Sequence, residues 1–321
     1  MSDLRRLTRR AALAALVLLS ACGGDKSTTG RTRIAVIPKG TTHEFWKAVE
    51  KGAHAAADEL GVEMVWKGPL KENDRAEQIR VVEQFVQEGV AGIALAPLDD
   101  KALVRPVAAA KDKQIPVVIF DSALAGQGGT DFASFVATDN LEGGRMAGRE
   151  LARLLDGKGK VALLRYQVGS ASTTEREEGF LEVMKQNAGI TMVTSDQYAG
   201  ASVESAKSKA LNLLDKLREA DGIFCPNESA TVGMLRALEQ EGLAGKVKFV
   251  GFDATPPLVE ALSKGTIAAL VVQDPVDMGN RAVRALVDAI AHKPVQPRVA
   301  TTVAVATKSN MEQPEIARLL K

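Results

Sequence analysis

At 321 residues, with 45% hydrophobic and 25% charged side chains, the chain has an ordinary globular composition and enough length for two lobes. That excludes an intrinsically disordered chain, a collagen-like chain and a polytopic membrane protein. Lys and Arg number 41 and Asp and Glu 40, a net charge of +1; without the first ten residues, which hold Arg5, Arg6, Arg9, Arg10 and Asp3, the balance is 37 to 39, so no basic excess points to nucleic acid.

The chain opens on a basic stretch, an apolar run Ala11–Leu19 and the small residues Ser20 and Ala21 before Cys22. This is the pattern of a secretion signal, and the run is too short to span the ~30 Å of a bilayer core. Leu19-Ser20-Ala21-Cys22 resembles a bacterial lipobox. The resemblance implies cleavage before Cys22 and acylation there, which would hold the protein at a membrane surface. Thr8-Arg9-Arg10 has a twin-arginine flavour, but paired arginines are common in such leaders, so general export is expected. We expect a signal peptide over 1–21 and a flexible tether over 22–30. With Cys22 used in this way, Cys225 has no disulfide partner and reads as a buried small hydrophobe.

Short apolar runs then alternate with stretches of helical period. Strand Ile34–Ile37 precedes a helix marked by Phe45, Val49, Ala53, Ala56 and Leu60. Strand Val62–Trp66 precedes a helix around Ile79–Val86. Strand Ala91–Leu95 precedes helix Ala102–Lys113, and strands Pro116–Phe120 and Phe135–Ala137 follow. A second series runs helix Met146–Leu155, strand Val161–Leu164, helix Glu177–Gln186, strand Thr191–Val193, helix Val203–Leu217 and strand Gly222–Cys225. It continues through helix Ala230–Gln240, strand Val247–Val250, helix Pro257–Lys264, strand Ile267–Val272, helix Met278–Ala291 and strand Val299–Val305.

Strands without polar alternation suit sheets buried on both faces, and alternation with helices argues for parallel strands. The fold class is therefore α/β, with two doubly wound parallel-sheet lobes. Ligands of such sheets bind beyond the carboxyl ends of the strands. Lys39, Asp121, Asp139, Asn227, Asp253 and Gln273 stand at those ends.

Several short stretches stand out together: Phe45-Trp46, Lys51-Gly52-Ala53, Phe120-Asp121-Ser122, Ala137-Thr138-Asp139-Asn140 with Gly143-Gly144, Arg176 with Gly179-Phe180, Pro226-Asn227-Glu228, Val250-Gly251-Phe252-Asp253 and Gln273-Asp274-Pro275. In order and spacing they resemble the type I periplasmic binding proteins of ABC sugar transporters, the ribose-binding branch above all. The resemblance runs from about Ile34 to about Ser309. It implies two lobes, 31–137 plus 275–300 and 138–273 plus 301–321. Their hinge crossings would lie at Thr138 and Asp139, at Asp274, and at Thr301.

By the same resemblance, Phe45 and Trp46 would sandwich a sugar ring. Asp121 and Asp253 would accept from hydroxyls, Asn227 would donate and accept at once, and Gln273 would serve as ligand or hinge. Lys39 and His43 join the candidate cleft, His43 where the ribose-type proteins carry asparagine. Ser122 and Thr174 fall where those proteins carry arginines, with Arg176 close by. The expected aromatic after Tyr198 falls near Ala201, leaving Tyr198 to compensate. The lost arginines remove fixed donors to ribose hydroxyls and argue against ribose itself. Ile37-Pro38-Lys39, Gly68-Pro69, Asp121-Ser122 and Cys225-Pro226 also resemble the branch that binds the furanone autoinducer.

We find no Gly-rich dinucleotide fingerprint, Walker A sequence or nucleophile elbow, and His43-Glu44 lacks the second histidine of a zinc helix. The expectation is an extracytoplasmic, lipid-anchored, monomeric binding protein, not an enzyme, with no cofactor or metal. It would deliver a sugar-like ligand to an ABC permease. The alternative is a furanone-binding or chemoreceptor-partner sensing protein. A repressor of the same two-lobed shape would need a DNA-binding headpiece where the leader stands.

Overall fold

The structure, a computed structural model, describes residues 30–321. The leader, the lipobox and Cys22 lie outside the described residues. The first series is β1 (Arg33–Ile37), α1 (Glu44–Leu60), β2 (Glu63–Trp66), α2 (Arg75–Glu88), β3 (Gly92–Leu95), α3 (Val104–Asp112), β4 (Val117–Phe120) and β5 (Ser134–Thr138). The second begins α4 (Asn140–Leu154), β6 (Lys158–Arg165), α5 (Ala171–Gln186), β7 (Gly189–Tyr198), α6 (Val203–Asn212), α7 (Leu214–Glu219), β8 (Gly222–Phe224) and α8 (Glu228–Gln240). It closes with β9 (Lys248–Phe252), α9 (Pro256–Lys264), β10 (Ala269–Gln273), α10 (Pro275–Ile290), β11 (Arg298–Thr301), β12 (Val303–Thr307) and α11 (Pro314–Ala317).

Two six-stranded sheets result, ordered β11-β5-β4-β3-β1-β2 and β12-β10-β9-β8-β6-β7. The inner strands are covered on both faces, which is why β3, β4 and β8 are apolar throughout, whereas the edge strands β2, β7 and β11 carry polar residues and are partly exposed. In β1, Ile34 and Val36 join one core while Ala35 and Ile37 join the other, the period-two split of a strand between two layers. No helix among the described residues is long and apolar enough to cross a membrane.

The single strand expected over Val299–Val305 is two. β11 pairs parallel with β5 in the first sheet, and β12 pairs antiparallel with β10 in the second. Nothing in that unbroken run of small and β-branched residues signals a change of sheet. The helix expected over Val203–Leu217 breaks at Leu213 into α6 and α7. Helices α4 and α5 each start about a turn and a half before their expected first residues, because their opening turns carry few large apolar side chains.

The chain passes between the sheets at Thr138, Gln273 and Thr301. Thr138 ends β5 in the first sheet, and α4 packs on β9 and β10 of the second. Gln273 ends β10 in the second sheet, and α10 packs on α1, β3 and β4 of the first. The Thr138 hydroxyl donates to Gln273 Oε1 at 2.7 Å and lies 3.3 Å from Thr301 Oγ1, so the three passages are bonded to one another. Asp139 and Asp274 cap the helices that follow, each accepting a backbone N–H of the first turn at 3.0 Å.

Candidate functional site

In each sheet the third strand of the order above ends in Phe-Asp. Asp121 follows β4 and Asp253 follows β9, with φ of 60° and 72°. Aspartate is one of the few side chains that tolerates this left-handed geometry. The turn takes each backbone off its strand and leaves the carboxylate at the strand's carboxyl end. Lys39, beyond β1, is buried, with Nζ 3.0 Å from Asp121 Oδ2. The same ammonium donates across to Ser172 Oγ on α5 at 2.9 Å.

On the other side, Asp253 accepts from Gln273 Nε2 at 2.7 Å and from the Glu228 N–H at 2.8 Å. Arg176 donates to Gln273 Oε1, to the Pro226 carbonyl and to Asn140 Oδ1 at 2.9–3.0 Å, with its guanidinium 3.9 Å from the Phe252 ring centre. Burial holds the Arg176 guanidinium below its usual range, and Asp253 and Asp121 offset only part of that. Burial likewise raises the Asp253 carboxyl above the usual range, although Arg176 and Gln273 pull it down.

These groups surround one cavity between the two sheets. Of the residues singled out from sequence, Lys39, His43, Phe45, Trp46, Asp121, Arg176, Asn227, Asp253 and Gln273 line it. Ser122 does not: it is fully buried behind the wall, its hydroxyl accepting the Ser172 N–H at 3.1 Å. Thr174 does not either; the helical turn puts its neighbours Ser172 and Thr173 on the cavity side. Tyr198 lies outside the cavity at the end of β7, next to Arg165. Phe45 and Trp46 stand edge to face, ring centres 5.0 Å apart at 84°, and so do not form parallel plates. Trp46 is largely core, stacked edgewise on Phe120. Asn227 uses its amide partly on its own helix, capping Ala230 N–H and donating to Ser229 Oγ. Among the described residues no group of histidine, cysteine or carboxylate side chains is placed to hold a metal ion.

Glu72, Tyr166, Ser172, Thr173 and Glu228 also line the cavity and were not read from sequence. Glu72, in the loop after β2, collects three partners: His43 Nδ1 at 2.7 Å, Trp46 Nε1 at 2.6 Å and the Tyr166 hydroxyl at 2.8 Å. Burial opposes ionisation of both His43 and Glu72, but their mutual attraction outweighs it. The imidazole is lifted to about 9 and the carboxyl drops to about 2. Glu228 is pushed up to about 7 by burial, against the pull of His43 and the N–H groups of Phe45 and Glu44. Four carboxylates thus share the cavity with Lys39, His43 and Arg176. Such a wall presents acceptors and fixed donors from both sides, with Phe45, Trp46 and Tyr166 among the lining, and suits a hydroxyl-rich guest.

Residues 34–294 match the family model described as periplasmic binding protein domain. The chain is 32% identical over 260 residues to the D-allose-binding periplasmic protein of Escherichia coli, covering 79% of this chain and 83% of that one. It is 31% identical over 282 residues to the D-ribose/D-allose-binding protein of Pseudomonas aeruginosa, covering 84% and 88%. An ABC transporter solute binding protein from Agrobacterium vitis, solved with bound D-fucose, superposes with a TM-score of 0.87 at 35% identity, covering 90% of this chain and all of that one.

Proposed function

This chain belongs to the periplasmic binding protein domain family, and on that basis we propose that it captures one monosaccharide between its lobes for the permease of an ABC importer. The observation that carries this reading is convergence: Lys39 and Asp121, beyond strands of one sheet, meet Arg176 on α5, Asn227 at the start of α8, Asp253 beyond β9 and Gln273 at the end of β10 around one cavity. The lobes are 31–137 plus 275–300 and 138–273 plus 301–321, hinged at Thr138, Asp139, Asp274 and Thr301. The buried Lys39–Asp121 pair favours a second reading, in which a furanone autoinducer takes the sugar's place and the protein serves sensing.

Thermal denaturation with D-allose, D-ribose, D-fucose, D-arabinose and a furanone separates these readings. A compound that binds only the folded protein stabilises it by about 2.7 kcal/mol at a hundred times its Kd. We expect a sugar to raise the Tm and Asp121→Asn to abolish that rise with the circular dichroism unchanged. Asparagine keeps the left-handed backbone tolerable while removing the charge that faces Lys39. No shift with any sugar, or an undiminished shift in the variant, overturns the sugar reading.

The protein is further proposed to act outside the cytoplasm as a monomer, anchored by lipid on Cys22. Cys22→Ser should move it from the membrane to the soluble fraction; a variant that stays with the membrane refutes the anchor.

A further inference from the structure

The first turn of any α-helix leaves backbone N–H groups without helical partners. In α1 the N-cap residue, His43, does not satisfy them: its imidazole is turned to Glu72 and makes no cap bond. The cap comes from the other lobe. Glu228, first residue of α8, accepts the Glu44 N–H on Oε1 at 3.1 Å and the Phe45 N–H on Oε2 at 2.9 Å. Its own N–H is held by Asp253 Oδ2 at 2.8 Å, which fixes where the side chain starts. The carboxylate is 7% exposed and sits at the positive end of a 17-residue helix.

We propose that Glu228 is a latch on the closed cleft, a positioning residue that sets how long the lobes stay together. Opening the cleft strips α1 of its cap and separates the carboxylate from two aligned donors. Closing restores both bonds while Lys39 reaches Ser172 and Tyr166 reaches Glu72 across the same gap. The latch lies beside the guest and acts on closure, so its effect falls on release more than on capture. The inference rests on the cavity being the sugar site, and deepens that reading.

Two measurements on the full-length protein test it. The first needs no sugar: hydrogen exchange of the peptide containing Glu44 and Phe45. We expect slow exchange in the wild type, fast exchange in Glu228→Gln and Glu228→Ala, and partial protection in Glu228→Asp, with core strands unchanged. Glutamine is informative because its NH2 faces one of the two N–H donors. Equal exchange in all four proteins overturns the latch. The second is stopped-flow release of D-allose followed by tryptophan emission. Release should quicken on the order of tenfold in Glu228→Gln, since one of the two hydrogen bonds across the closed cleft is lost and its donor is left facing an NH2 group, while association changes little. A variant that slows capture and leaves release alone also overturns the proposal. If D-allose does not bind the wild type, the release experiment uses whichever sugar raises the Tm; if none does, the sugar reading fails and hydrogen exchange alone decides the latch.

Discussion

His43 and Glu72 form an ion pair at the cleft, and its effect on stability has a defined sign. His43 is raised from 6.5 to about 9, so its contribution is complete below 6.5 and is lost as the pH climbs through 9. Glu72 is lowered from 4.5 to about 2, so its contribution is complete above 4.5 and is lost as the pH falls through 2. The pair is therefore at full strength between about 4.5 and 6.5. Glu177 and Glu228, both raised by burial from 4.5 to about 7, add stability below 4.5 that is lost as the pH rises through 7. All three raised groups act in one direction, so the Tm should fall from pH 6 to pH 9. His43→Gln should remove the part of that fall above pH 7 and leave the part below. A wild type and variant that decline in parallel between pH 7 and 9 would refute the assignment. Asp121 and Asp253 were legible because each ends an apolar strand. Glu72 was not, because what gives it a role is Tyr166, 94 residues away in the chain. Glu228 stood in plain view beside Asn227, but only the folded arrangement brings α1 to it.

At the scale of elements, strands were easier to read than helix starts. A strand buried on both faces announces itself as an unbroken apolar run, as Val117–Phe120 does. Helix α4 hides its start, because Asn140, Gly143 and Gly144 add no large apolar residue to its stripe. Those glycines have a packing reason. A Cβ on Gly144 would lie 2.0 Å from the Arg176 carbonyl oxygen, and one on Gly179 would lie 2.1 Å from that of Leu141. Helices α4 and α5 thus touch backbone to backbone, and that contact seats Arg176, which holds Gln273 and the Pro226 carbonyl. The first lobe repeats the device: Gly52 on α1 meets Val276, and Gly279 on α10 meets Val49. The switch between β11 and β12 was illegible for a different reason. A strand's preference for one sheet over another depends on which edge is free, and no local pattern records that.

At the scale of the molecule, two kinds of contact join the lobes, and they should answer differently to mutation. The latch contacts lie at the cleft, where a hinge rotation moves atoms furthest. The Thr138, Gln273 and Thr301 side chains lie at the passages, where rotation about the proposed hinge would move atoms least. Thr138→Val keeps the side-chain shape and removes the hydroxyl that bonds Gln273 and faces Thr301. Gln273 Oε1 keeps its bond from Arg176, so no charged partner is stranded. The loss should be about 1–2 kcal/mol of stability, the worth of one or two neutral hydrogen bonds. With the proposed hinge at these passages, the side chains stay together whether the cleft is open or closed, so this loss should be the same with and without D-allose, and D-allose affinity should hold. Calorimetric unfolding of Thr138→Val with and without the sugar checks this. A stability loss that appears only with sugar bound would mean that these side chains part on opening, and the pivot would have to be sought elsewhere along the three passages.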